Sequence, residues 1–173
     1  MTVQKIQSVG FCAHFSQVGD WAFNYALRLV QQNSWRLNVF HFLSDPYEPE
    51  NDSEARFTRQ ELTHLAIEKE RELRLYYDEL GGEYMDIGFR LCLDDSWREL
   101  HRCLVVREFQ LLVLAKPASQ ARFSGKPIEE FANSFICPVI LVGPESPKAF
   151  RLNSSAALSI DQLEIMDGQW EQI

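Results

Sequence analysis

Residues 110–115 read Gln110-Leu111-Leu112-Val113-Leu114-Ala115. A continuous apolar run with no period-2 alternation is what a strand needs when both of its faces are covered. Such a strand belongs to a parallel sheet between layers of helices, and the flanking sequence fits that setting. On the C-terminal side, Lys116 to Lys126 is a polar, irregular connection. Pro127 then stands at a first helical position, followed by Glu129 and Glu130 in the first turn, where a fixed φ and negative charge both favour a helix start. That helix ends before Cys137-Pro138, and Val139 to Val142 reads as a further strand. On the N-terminal side, Ser96-Trp97-Arg98-Glu99 has the pattern of a capping box and predicts a helix from about Trp97 to Arg107.

Further out the alternation continues. Tyr84 to Leu93 alternates as a strand. Glu54 to Leu80 is the longest helical signal, with Leu62, Leu65, Ala66, Leu73, Tyr76, Tyr77 and Leu80 on one face. Its charge run, Glu68-Lys69-Glu70-Arg71-Glu72, reads as a solvated face with i,i+4 pairs rather than a binding motif. Gly81-Gly82 ends it. Trp35 to Leu43 is a strand rich in aromatic and branched residues, followed by a loop over Ser44 to Ser53 with two prolines. Ile6 to Cys12 is a strand, and Val18 to Gln32 is a helix with Ala22, Tyr25, Ala26, Leu29 and Val30 on one face. The order β-α-β-α-β-α-β-α-β predicts a doubly wound α/β fold, a five-stranded parallel sheet with helices on both faces and right-handed crossovers.

This domain takes residues 1–144, and residues 145–173 are a C-terminal extension. Within the extension, Leu163 to Trp170 places Asp167-Gly168 between apolar ends, a hairpin signal with Trp170 as the anchor. A disordered tail is the competing reading.

Composition sets the outer limits. The chain has 173 residues, 46% of them hydrophobic and 24% charged, an ordinary globular balance that needs no staple to fold. The net charge of −8 opposes binding to nucleic acid or to anionic membranes. Cys12, Cys92, Cys103 and Cys137 are spread too far apart for a CxxC or zinc spacing, and each sits in apolar sequence, as buried thiols of a reducing compartment do. No run is long and apolar enough to cross a bilayer. A cytoplasmic protein is expected.

Several of these segments resemble the universal stress protein family. Ile6 to Ser16 (IQSVGFCAHFS) is similar to the family's first strand and the turn that leaves it, and Ala22 to Val30 (AFNYALRLV) to its first helix. Trp35 to Phe42 (WRLNVFHF) resembles the second strand and Gln110 to Ala115 the fourth. Phe135 to Val142 (FICPVILV), with Cys-Pro-Val ahead of a strand, resembles the closing segment and is the most specific piece. The resemblance covers roughly residues 5 to 143. It implies the strand order 3-2-1-4-5, a homodimer formed commonly through the last strand, and in many members an ATP site at the ends of the first and fourth strands. Open α/β sheets place ligands at that switch point in general.

The departures from the family pattern concern that site. The acidic residue that follows the first strand in ATP-binding members is matched here by His14, which lacks a carboxylate's acceptor pair. In the phosphate loop, Gly-x2-Gly-x9-Gly-(Ser/Thr), the first two glycines are replaced by Ala115 and Ala118. Pro117 between them removes a backbone donor. Ser124-Gly125 arrives a few residues early. What remains, Ser124-Gly125-Lys126-Pro127 before a helix, is a workable anion site and, more simply, an ordinary helix start. Lys116, Arg122 and Lys126 give this connection positive charge in an acidic chain.

The candidate crevice is therefore Cys12, Ala13, His14, Phe15, Ser16 and His41 on one side, with Ala115, Lys116, Arg122, Ser124, Gly125 and Lys126 on the other. Cys12, His14 and His41 suggest a metal or thiol site, but core thiols and a satisfied histidine are the commoner arrangement. Asp94-Asp95 suggests Mg2+, or more simply a helix N-terminus. No nucleophile elbow, Walker loop or GxGxxG is present, so no catalytic residue, metal or cofactor is assigned. Two functions stay open. One is a non-enzymatic, homodimeric interaction module with an unidentified protein partner and no ATP bound in the standard way. The other is a sensor of a nucleotide or other anionic small molecule in the crevice.

Overall fold

The computed structural model describes residues 5–47, 58–93, 95–165 and 168–173. In chain order these form β1 (Ser8–Cys12), α1 (Gln17–Asn33), β2 (Arg36–Phe42), α2 (Arg59–Gly81), β3 (Ile87–Cys92), α3 (Ser96–Val105) and β4 (Leu111–Ala115). Then follow β5 (Arg122–Phe123), β6 (Lys126–Pro127), α4 (Ile128–Asn133), β7 (Val139–Val142), β8 (Ala149–Leu152), α5 (Ser154–Leu158), a 3-10 turn over Ile160–Gln162, and β9 (Gln169–Gln172).

The parallel core is as expected: β3-β2-β1-β4-β7, with every neighbouring pair parallel. The strand alternation divides the core into two layers. Val9 and Phe11 of β1, Leu37 and Val39 of β2, and Leu111 and Val113 of β4 face α1 and α2. Phe40, Phe42, Leu112 and Leu114 point the other way, toward Leu100 and Cys103 of α3 and Phe131 of α4. Every residue of β4 and β7 is buried, which explains their unbroken apolar sequence.

The helix starts are fixed by side-chain caps. Ser16 accepts from the Gly19 amide at the start of α1, and Thr58 with Glu61 forms a capping box on α2. On α3 the cap is Asp95, which accepts from the Arg98 amide, and Ser96 is the first helical residue. This moves the expected cap by one position, since the Asp95 carboxylate also suits the positive end of the helix dipole. The Asp94 half of the proposed acid pair lies outside the described residues, as do Glu54 to Phe57, where the long helix was expected to begin.

The sheet has seven strands rather than five. The extension adds β8, antiparallel to β7, and β9, parallel to β8. Leu163 and Trp170 are not hairpin partners. Leu163 closes the 3-10 turn, and Gln169–Gln172 pairs with β8. The turn residue Asp167 lies outside the described residues. Nor does Trp170 anchor the segment, being 43% exposed. Phe150, Leu152, Leu163 and Ile165 are buried in the α1-side core, and the Tyr25 hydroxyl donates to the Leu163 carbonyl. The burial of four apolar side chains outweighs a local turn preference.

Candidate functional site

The carboxyl ends of β1, β2 and β4 meet at the switch point of the sheet, where β1 lies between β2 and β4. The chain leaves β1 through Ala13, whose amide donates to the Phe40 carbonyl, and turns at His14. His14 Nδ1 lies 2.6 Å from Ser16 Oγ, and that hydroxyl oxygen accepts from the Gly19 amide at 3.0 Å. His14 is thus tied to the start of α1. A Cβ on Gly19 would lie 1.7 Å from the His14 carbonyl oxygen, so only glycine allows the helix to approach this closely.

Between β1 and β4 the gap is bridged by Tyr47, from the β2–α2 connection. Its ring meets the His14 ring at 4.4 Å on one side and Phe123 at 4.9 Å on the other. Its hydroxyl donates to the Ala115 carbonyl at 2.8 Å. Burial of that hydroxyl pushes its ionisation well above the usual tyrosine range, with Cys12 and Asp45 adding to the effect. The preceding residue is pinned as well, because the Ser124 amide donates to the Pro46 carbonyl at 2.7 Å.

Beyond β4, Ser124 and Gly125 form the two-residue turn of the β5–β6 hairpin, with φ of 54° and 80°. Positive φ at both central residues is the signature of a type I′ turn. The Arg122 guanidinium donates to the Gly125 carbonyl across this turn. Lys126 stands over the Trp97 ring, 6.0 Å from its centroid. Lys116 is buried, and its ammonium group is paired with Glu129 at 2.5 Å. The basic residues expected to gather around an anion are therefore each committed elsewhere. α4, at six residues, follows the hairpin rather than a phosphate-binding loop.

Cys12 belongs to the α3-side core and does not reach the crevice surface. Burial raises the ionisation of Cys12, and that of Cys92, Cys103 and Cys137 to about 12. Among the described residues no group of three or more His, Cys, Asp or Glu is placed to hold a metal ion.

The open part of the crevice lies on the other side of His14, under α2. A cleft of about 890 Å³ runs along the ends of β1 and β2, walled by Ala13, His14, Phe15 and His41. Helix α2 contributes Lys69, Glu72, Tyr76 and Glu79, which recur on one helical face, and Asp45 and Pro46 close one end. Phe15 is 47% exposed and stands edge-on to both His41, at 5.4 Å, and Tyr76, at 5.0 Å. The Tyr76 hydroxyl donates to Asp20 of α1 at 2.5 Å, which fixes the ring. Burial and that carboxylate push its ionisation to about 12. His41 is shifted down by burial first and by Lys69 second, while Asp45 and Glu72 act in the opposite direction.

Sequence reasoning grouped Ala13, His14, Phe15 and His41 with Ala115 to Lys126 in one crevice, whereas these four line the separate cleft under α2. It missed Tyr47 and the whole α2 wall. The available signal for Tyr47 was an aromatic residue in an otherwise polar Asp-Pro-Tyr loop. For α2 it was Lys69, Glu72, Tyr76 and Glu79 at helical spacing.

No sequence-family model matches the chain. No curated protein matches it by sequence. Solved structures do match. A universal stress protein in complex with cAMP shares 16% identity over 80% of this chain and 97% of its own, with a TM-score of 0.55. A universal stress protein family member from Burkholderia pseudomallei gives 16% identity, 80% and 96% coverage and a TM-score of 0.53. A family member from Arabidopsis thaliana with AMP bound gives 14%, 82%, 97% and 0.50. The fold is that of the universal stress proteins, extended by two strands.

Proposed function

We propose that this chain is a universal stress-type regulatory module that works through protein contacts, without catalysis and without binding ATP in the standard way. The observation that carries this reading is Tyr47. Its ring and hydroxyl span from His14 to Ala115, across the gap that a nucleotide would need between the ends of β1 and β4. Two further features support it. The thiols are buried and held protonated, which makes them poor nucleophiles. At the opposite end of the sheet, Val105 and Ile136 are 79% and 89% exposed and line a groove of about 680 Å³ suited to a protein partner.

The resemblance implies a homodimer through the last strand. Here the outer edge of β7 is paired with β8. Self-association in this chain therefore uses another surface, such as the Val105–Ile136 groove.

The alternative, a sensor of an anionic ligand, draws on the ligands named for two neighbours, cAMP and AMP. The paired state of Lys116 and the hairpin geometry of Ser124-Gly125 weigh against it. A thermal-shift series with ATP, ADP, AMP and cyclic AMP, each with and without Mg2+, separates the two. A ligand at 100 times its Kd adds about 2.7 kcal/mol, an easily read rise in Tm. No rise is expected for any of the four. A clear rise with one of them overturns the closed-site reading.

A further inference from the structure

The cleft of about 890 Å³ beneath α2 is left unused by the proposed function. Its charge is opposite to what a nucleotide needs. Among the described residues, Asp45, Glu72 and Glu79 line it against one lysine, Lys69. His41 and His14 are the other titratable groups on its strand side, and burial favours the neutral form of His41. Its apolar surface combines the aliphatic Leu43 and Leu75 with an aromatic group. Phe15 meets His41 at 78° and Tyr76 at 85°, so neighbouring rings stand at right angles and form a corner. Tyr76 is held by Asp20 and Phe15 is wedged between its neighbours, so the corner is organised before anything binds. Aromatic faces attract cations through their quadrupole, and nearby carboxylates add to that attraction.

We propose that this cleft binds a small organic ammonium cation carrying an apolar or aromatic group. The ring system seats the ammonium methyls or methylenes, and Glu72 and Glu79 supply the counter-charge from α2. Lys69 opposes the ligand and sets an upper limit on affinity. The inference rests on the closed-site reading in one respect: Tyr47 keeps phosphate groups from reaching across to β4, leaving the acid-lined half as the accessible part.

The probe is phenyltrimethylammonium, with benzenesulfonate as the anion of like shape and AMP as a third ligand. Each is titrated into the full chain and followed by NMR chemical shifts. The cation is expected to perturb Phe15 and Tyr76 and to bind about tenfold or more tighter than benzenesulfonate, a preference that shrinks as salt is raised. Glu72→Lys, on the exposed side of a helix, is expected to weaken the cation about tenfold, and Lys69→Gln to strengthen it. Phe15→Ala is expected to abolish the Tyr76 shift. No saturable binding of the cation, equal binding of cation and anion, or binding indifferent to both charge variants overturns the proposal. AMP binding in the unaltered chain overturns the closed-site reading instead, and the cation result still stands or falls on its own variants.

Discussion

Asn153 shows how much one side chain carries when all its valences are used. It is 2% exposed, and its amide makes four hydrogen bonds. Nδ2 donates to the carbonyls of Ala132 and Cys137, and Oδ1 accepts from the amides of Val139 and Ala156. The residue caps α5 and ties the end of α4 to the start of β7. Asn153→Ala leaves those buried backbone groups unpaired, so a loss on the order of 3 kcal/mol is expected in urea unfolding, at unchanged m-value. A loss below about 1 kcal/mol, within reach of a single ordinary cap, contradicts the network. Only the Asn153 cap on Ala156 is local; the partners that tie it to α4 and β7 lie 14 to 21 residues upstream, where no sequence signal marks them. Tyr47 was hidden for the same reason: its partner Ala115 is 68 residues away. Residues whose role is set by close neighbours were legible. Ser16 and His14, two apart, sit where the turn after β1 was expected.

At the level of elements, the five parallel strands and the four helices between them could be read because each carries its own periodicity, and the registers of β1, β2 and β4 follow from it. The extension was misread because Asp167-Gly168 is a local signal, whereas β8–β9 pairing is parallel and needs a connection. What fastens β8 is an arginine. Arg151 donates to the Gly143 carbonyl at 2.6 Å and pairs with Glu145 at 2.7 Å and Glu171 at 3.2 Å, linking the β7–β8 turn to β9. The Arg151 guanidinium draws the Glu145 carboxyl down from 4.5 to about 2. A depressed carboxyl contributes stability that is present above its unfolded value and lost as pH falls through the folded one. Stability should therefore decline between about pH 4.5 and 2, with Glu145→Gln removing part of that slope. Glu145 is well exposed, so the difference at neutral pH stays at or below about 1 kcal/mol. Parallel slopes for the two proteins in acid titration of Tm rule out this pair as the fastening.

For the whole molecule, the seven-stranded sheet changes what its edges can do. A strand as apolar as β7, Val139-Ile140-Leu141-Val142, left at an edge would pair with another chain. β8 covers it from within, with Leu152 fully buried opposite Ile140. The new edge is β9, whose Gln169-Trp170-Glu171-Gln172 is exposed throughout and, apart from Trp170, polar, and the charge of Glu171 discourages edge pairing. Local opening should follow this order. In hydrogen exchange, the amides of β7 are expected to be as slow as those of β4, and those of β9 the fastest in the sheet. Leu152→Asp, which places a charge in the β7–β8 core, is expected to speed exchange across β7 and to make the chain associate as concentration rises. If β7 in the unaltered chain exchanges at the rate of β9, the two added strands peel away together. The β7 edge is then open to a second copy, and self-association through the last strand returns as the better account.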